Sequence, residues 1–344
     1  MTAQRPRSGR PTLEAVAARA GVGRGTVSRV VNGSARVSAR ARAAVLEAIN
    51  ELGYVPNRAA RSLVTNRTDS IALVASESED RVFGEPFFAG IVRGISAVLA
   101  DTPIQLWLAM AQSRQEWQRV ERHLTSQHVD GVLLISLHGD DPLPRRIQES
   151  GLPMVLGGVP TGFDPPSYVD VDNRGGARQA VAHLVSRGRT KIATLTGPQD
   201  MGAGLHRLEG YRQGLEEAGL PVDEDLIFYG DFSEASGAIG MRTLLERRPD
   251  LDAVFAASDL MALGAMRVLR EQGRRIPQDV AVVGFDGSPM APHTDPPLTT
   301  VHQPAEAMGR EMTRLLLAQI RGEKLSKKDR VVILDANLVV RASS

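Results

Sequence analysis

Two short helical patterns joined by a glycine turn fill residues 12–33 and confine the start of this chain to a small all-α module. Thr12 follows Pro11 and is placed to accept the first free amide of a helix. Leu13, Val16, Ala17 and Ala20 then recur on one face at helical spacing. Gly21 and Gly23 bracket Val22, which turns the chain and drops one apolar side chain into the corner. A second helix from about Arg24 points Val27, Val30 and Val31 inward and ends at Gly33. Ser38 caps a third helix, whose inner face is Val45, Leu46, Ile49 and Leu52 and which Gly53 stops. Three such helices enclose little apolar volume, so the unit is marginal by itself. Its outer face keeps Arg24, Thr26, Ser28, Arg29 and Asn32. This is the pattern of a helix-turn-helix, a unit that lays its second helix in the major groove of DNA.

Charge is divided in the same way. Residues 1–67 hold twelve arginines against Glu14, Glu47 and Glu51, a formal charge of +9, which leaves −8 for the rest of a chain totalling +1. A basic end on an acidic body suits phosphate contact by one part of the molecule, with affinity that falls as salt rises. Residues 1–10 read as a basic tail without a fold of its own.

From Thr68 onward short apolar runs alternate with helical patterns. Residues 70–75, 104–110, 131–135, 191–195, 253–256 and 280–285 read as buried strands, and 87–100, 114–127, 174–187, 205–218 and 259–272 as helices. Strand-helix-strand order implies parallel sheets covered on both faces. Such a length is large for one sheet of this kind, so two are expected. There is no cysteine, hence no disulfide, thiolate metal site or cysteine nucleophile. No apolar run approaches the roughly 18 residues of a membrane span, and the basic start leads into a polar helix rather than the apolar core of a signal peptide. There is no phosphate loop, nucleophile elbow or cofactor fingerprint, and no cofactor or metal is expected. An enzyme using Asp259 or Asp286 as a base is therefore disfavoured.

From Pro11 to Leu63 the chain resembles the lactose/galactose-repressor family of bacterial transcription factors. The resemblance rests on Thr12-Leu13, Val16-Ala17, Ala20-Gly21-Val22, Thr26-Val27-Ser28-Arg29-Val30, Asn32, Val37-Ser38 and Leu52-Gly53-Tyr54-Val55-Pro56-Asn57, and it extends over nearly the whole chain. It implies a repressor-type regulator of carbohydrate-utilisation genes in the bacterial cytoplasm. Such a regulator binds a near-palindromic DNA operator as a homodimer, its grip controlled by a small-molecule effector. Arg24, Gly25 and Arg29 stand where the family's recognition helix touches base edges, and an arginine forked onto guanine is the commonest such contact. Gly25 and Gly23 depart from relatives that carry longer side chains there. Thr26, Ser28 and Asn32 suit phosphate positioning, and Thr12 joins the DNA-binding set. Asn57 caps a short segment equivalent to the hinge that folds on operator DNA, with Ala60 facing the minor groove. Leu63 matches the leucine that wedges between base pairs.

For the body, the resemblance implies a periplasmic-binding-protein-like core of two α/β subdomains with the effector in the cleft between them. The expected layout is a headpiece over 11–55, a hinge over 56–67, a first subdomain from 68–168 with 302–324, and a second from 169–301 with 325–341. Arg207 stands at the start of a helix, where a guanidinium can fork onto two hydroxyls or a carboxylate. Asp286, Ser258 and Asp259 lie just past strand ends, where open α/β sheets bind ligands. On residue type alone Arg207 and Asp286 equally suit a structural ion pair, and Asp259 a helix cap. Arg207, Phe232, Ser258, Asp286 and Gln303 all match effector positions of the family. Glu85-Pro86-Phe87-Phe88 is similar to the run that opens the first cleft helix in its sugar-responsive members, with Phe87 and Phe88 equally suited to the core. Ser136 follows a strand and joins the candidates, as do Ser76 and His138 less strongly. Capping suffices to explain Asp172-Asn173.

Aromatic plates flanked by charged and amide groups suit a sugar. The strings Gly21–Thr26, His138–Asp141 and His293–Pro297 resemble the cellobiose- and β-glucoside-responsive branch of the family. The alternatives are a corepressor-type regulator sensing a nucleobase or another metabolite, or a sugar-binding protein without regulatory DNA activity.

Overall fold

The computed structural model describes residues 11–31, 34, 36–55, 67–111, 113–126, 128–139, 141–159, 165–326 and 328–344, with Arg114 described by its backbone alone. The chain divides into two units, residues 1–68 and 69–344.

Among the described residues the first unit holds three helices, α1 (Leu13–Ala20), α2 (Arg24–Val31) and α3 (Ala39–Leu52). Thr12 Oγ1 accepts the Ala15 amide at 3.3 Å and Ser38 Oγ the Ala41 amide at the same distance, so both expected N-caps form. Gly21 and Gly53 end α1 and α3 in the left-handed region, at φ 65° and 62°, where a side chain would be strained. Val16, Val27, Val30, Val45, Ala48 and Tyr54 form the centre of a small core. The inner face of α3 is Val45, Ala48, Ile49 and Leu52, not the expected set, because Leu46 lies one residue off the stripe and is half exposed. The expected stop at Gly33 falls outside the described residues.

Among its described residues the second unit contains two six-stranded sheets. The first comprises β1 (Ser70–Ala75), β2 (Gln105–Met110), β3 (Gly131–Ile135), β4 (Met154–Gly157), β5 (Tyr168–Val171) and β11 (Val331–Leu334). Its order is β11-β5-β4-β3-β1-β2, all parallel. The second comprises β6 (Ile192–Thr196), β7 (Ile227–Tyr229), β8 (Ala253–Ala256), β9 (Ala281–Asp286), β10 (Thr299–His302) and β12 (Asn337–Val339). It runs β12-β10-β9-β8-β6-β7, with β12 alone antiparallel.

Helices α4 (Glu79–Gly84), α5 (Pro86–Leu99), α6 (Arg114–Thr125), α7 (Leu143–Ser150) and α12 (Ala305–Ile320) cover the first sheet. Helices α8 (Asn173–Ser186), α9 (Gly202–Glu217), α10 (Glu234–Arg247) and α11 (Asp259–Glu271) cover the second. Strand alternation splits each sheet into two apolar layers. Ile71, Leu73 and Ala75 face α5 and α12, whereas Ala72 and Val74 join the layer under α6 and α7. In β8, Val254 and Ala256 face α10 and α11, and Ala253 and Phe255 face α8 and α9.

The crossings between subdomains differ from the expected 169 and 325. β5 belongs to the first sheet, so the chain leaves it after Val171, and residues 331–334 return to that sheet before 337–339 join the second. Both boundaries slipped because a four-residue parallel strand carries too little periodicity to assign it to a sheet. The remaining crossing, between His302 and Ala305, lies next to the expected position.

Two cleft helices meet at backbone distance. A Cβ on Gly94 of α5 would lie 2.1 Å from the Glu306 carbonyl oxygen of α12, and one on Gly309 would lie 2.3 Å from that of Ile91. Only glycine permits this approach, which fixes the pair that opens one wall of the cleft.

Candidate nucleic-acid interface and ligand cleft

In the first unit, α2 exposes Arg24, Gly25 and Arg29 and half-buries Thr26 and Ser28 while Val27 and Val30 face the core. The 3.6-residue period alone therefore separates an exposed polar side from a packing side. Arg24 Nε lies 3.2 Å from Glu14 Oε1, both side chains well exposed, an ion pair weak enough for a phosphate or base to displace. A Cβ on Gly25 would meet nothing within 4 Å, so its lack of a side chain opens room rather than relieving a clash. Asn32, Asn57, Ala60 and Leu63 lie outside the described residues.

In the second unit a cleft of ≈ 460 Å³ lies between the subdomains. All eight effector candidates read from the sequence border it: Phe87, Phe88, Ser136, Arg207, Phe232, Ser258, Asp286 and Gln303. The carboxyl ends of β6, β8 and β9 and the amino ends of α9 and α11 converge there, as the geometry of open parallel sheets dictates.

Arg207 is its anchor. Only 4% exposed, it donates from Nε to Asn173 Oδ1 (2.8 Å), from Nη1 to the Ala257 carbonyl (2.5 Å) and Asp286 Oδ1 (3.5 Å), and from Nη2 to Gln303 Oε1 (3.0 Å). Its guanidinium stacks on Phe285 at 3.7 Å from the ring centroid, with Phe232 at 5.4 Å. The fork is thus fixed in plane and direction before any ligand arrives. Sequence reasoning missed Asn173 as its holder. Asp172 is the cap of α8, through the Gly175 amide at 2.8 Å, and Asn173 is a buried bridge whose Nδ2 donates to Asp170 Oδ1 and the Val171 carbonyl. Capping therefore does not suffice for that pair.

Asp259 does not cap α11. Ser258 does, accepting the Met261 amide at 3.1 Å while its hydroxyl donates to the Phe232 carbonyl at 2.8 Å. Asp259 instead accepts from the Thr300 hydroxyl (2.5 Å) and the Ser288 amide (2.6 Å). Burial is the chief cause raising its carboxyl, to about 6, against the pull of those two donors. Asp286 is raised as well, again mainly by burial, with Arg207 opposing and the neighbouring Asp259 charge adding.

Phe232 holds a left-handed backbone (φ 72°), and its ring lies so close over Gly197 that a Cβ there would touch it at 2.1 Å. Ser136 and Asp286 also have positive φ, 53° and 111°, strain of the kind that collects at binding sites. Across the cleft, Phe88 is a core residue, 2% exposed, whose edge borders the cavity, and the half-buried Phe87 meets it edge-to-face at 5.3 Å. Behind them Arg81 clamps Glu85 with Nε (2.6 Å) and Nη2 (3.3 Å) and reaches Glu77 with Nη1 (2.7 Å). Arg81 and Glu85 both line the cleft. The i, i+4 spacing of Glu77, Arg81 and Glu85 was the signal available for this network. No group of three or more metal-ligating side chains occurs among the described residues.

Residues 12–57 match the family model for bacterial regulatory proteins of the lacI family, and residues 181–344 match a periplasmic binding protein-like domain. The HTH-type transcriptional regulator CelR of Thermobifida fusca is 57% identical over 97% of this chain and 98% of its own length. The chain belongs to the lacI family. Two solved structures are similar over almost its full length. A transcriptional regulator CelR–cellobiose complex has 55% identity and a TM-score of 0.78, covering 97% of this chain and 100% of its own. The lac repressor dimer bound to operator and the anti-inducer ONPF has 28% identity and a TM-score of 0.84, covering 96% and 98%. This lacI-family chain is a DNA-binding transcriptional regulator, built as a helix-turn-helix headpiece and a two-subdomain α/β core. No helix among the described residues is long and apolar enough to cross a membrane.

Proposed function

We propose that this regulator controls carbohydrate-utilisation genes from the bacterial cytoplasm by binding a near-palindromic operator as a homodimer, and that a small sugar, a β-glucoside such as cellobiose, controls that binding from the interdomain cleft. The observation that carries the reading is the buried Arg207 fork. It is pre-aimed by Asn173, Asp286 and Gln303 at a cavity with Phe232 on one side and Phe87 on the other. A sugar offers what such a site reads, apolar ring faces for the phenyl groups and hydroxyls for the remaining Nη2 hydrogen of Arg207 and for the polar side chains it orders. The ≈ 460 Å³ volume lies within the usual range for small-molecule sites. The similarity to a regulator solved with cellobiose supports the same ligand class here.

On DNA, Arg24 and Arg29 read base edges, Gly25 lets the backbone approach closely, and Thr12, Thr26, Ser28 and Asn32 hold phosphates. Asn57, Ala60 and Leu63 form the hinge, with Leu63 as the minor-groove wedge. The effector acts by preferring one apposition of the subdomains, and a preference of roughly 1–3 kcal/mol suffices to switch occupancy. The test is fluorescence anisotropy on duplexes from the promoter region beside the protein's own gene, with and without cellobiose, other β-glucosides, nucleobases and amino acids. Sequence-selective binding that a β-glucoside alone changes is the expected result. A response to a nucleobase instead would transfer the site to the corepressor reading, and absence of any duplex preference would remove the proposal.

A further inference from the structure

One histidine ties the two subdomains together. His138, on the loop after β3, belongs to the first subdomain, and its Nδ1 lies 3.1 Å from Oδ2 of Asp200, on the loop between β6 and α9 of the second. Its Nε2 lies 3.3 Å from Oε1 of Glu77, the carboxylate that also takes Nη1 of Arg81. The two loops meet a second time where the Gly139 amide donates to the Asp200 carbonyl at 2.9 Å. The result is a continuous polar path, Asp200–His138–Glu77–Arg81–Glu85, running from the second subdomain to the Arg81 and Glu85 side chains of the cleft wall.

A neutral imidazole carries one N–H and can donate to only one of these carboxylates, whereas the imidazolium donates to both. We infer that His138 is a proton-operated latch between the subdomains, so that effector affinity rises as pH falls through its titration. This rests on the reading of the cleft as the effector site.

The surroundings agree. Glu77, from the loop after β1, faces the ring, as does Asp200, from the loop before α9. Asp141, ahead of α7, lies near enough to act on it electrostatically, and Arg81 of α4 is held on the same Glu77 carboxylate. The hydrogen bond to Glu77 is the main cause raising the imidazole above its usual 6.5, burial opposes, and Asp200 adds further. Parting the subdomains removes Asp200 and lowers that value. The apposed form therefore binds the proton more tightly and is favoured as pH drops, by about tenfold for each unit of difference between the two forms. A ligand touching both walls draws on the same apposed form.

Two measurements test this, each on the full chain, in wild type, His138→Gln and Asp200→Asn. The first is calorimetric affinity for cellobiose from pH 6 to pH 9. The second, needing no ligand, is the distance between spin labels on cysteines introduced at the exposed Glu149 and Glu216, one in each subdomain, in a chain that has no cysteine of its own. Wild type should lose several-fold affinity toward pH 9 and show a longer label separation, and His138→Gln should be flat in both. Asp200→Asn should move the midpoint to lower pH. An unchanged profile in His138→Gln would assign the effect to Asp259 and Asp286 and overturn the latch, as would a pH-independent separation in wild type. Failure to bind cellobiose with the separation still following His138 would reject the sugar and leave the latch standing.

Discussion

Arg207 illustrates why single side chains of this cleft have two roles. Its partners are protein groups, and removal leaves the buried Asn173, Ala257 and Gln303 acceptors without a donor and Asp286 without its cation. Arg207→Ala should therefore cost about 3–5 kcal/mol of core stability in addition to effector response, read by urea denaturation. Arg207→Lys is the cleaner probe. It retains charge but cannot reproduce the planar fork, so cellobiose affinity should fall at least tenfold in calorimetry while operator affinity without effector holds. The carboxyls give a pH signature. Asp259 binds its proton more tightly folded than unfolded, so its contribution to stability is fully present below about pH 4 and is lost as pH rises through about 6. Thermal melts of Asp259→Asn should lack that decline. The placement of Asp286 and Ser258 beside the cleft was legible in the sequence, since each stands at a strand end. Arg207, however, lies in the second turn of its helix rather than at the expected start, and the capping expected of Asp259 belongs to Ser258. Asn173 was not legible, because nothing local distinguishes a cap from a bridge to a residue 34 positions away.

At the level of elements, the long apolar runs were readable and the short ones were not. β1, β3, β8 and β9 are nearly all buried and carry continuous apolar runs. β7 and β12 have three residues each, and β10 is half threonine, so their assignment depends on neighbours rather than on their own pattern. Leu46 shows the converse, an apolar residue counted inward by type and turned outward by helical phase. Glycines divide similarly. Gly25→Ala should stabilise the headpiece by up to about 1 kcal/mol, since α2 gains propensity and the new methyl meets open space. Gly94→Ala should instead cost about 1–3 kcal/mol or more, as its methyl collides with the α12 backbone. Chemical denaturation of the two variants checks both signs.

Across the whole molecule the +9 headpiece region and −8 remainder divide the salt response. If the bound regulator neutralises six to ten phosphates, operator affinity should drop by about 10³–10⁵ between 50 and 200 mM salt. Cellobiose affinity, governed by a buried site, should change little over the same range. Anisotropy and calorimetry on one preparation compare the two directly.

Residues 331–344 have a consequence for biosynthesis. They supply an edge strand to each sheet, and Ser343 and Ser344 are buried against Val282, Thr299 and His183. Neither half of the sensor is therefore whole until this one segment has been made and has joined both sheets. Removing residues 331–344 alone would strip an edge strand from both lobes at once while leaving the DNA-reading helices untouched.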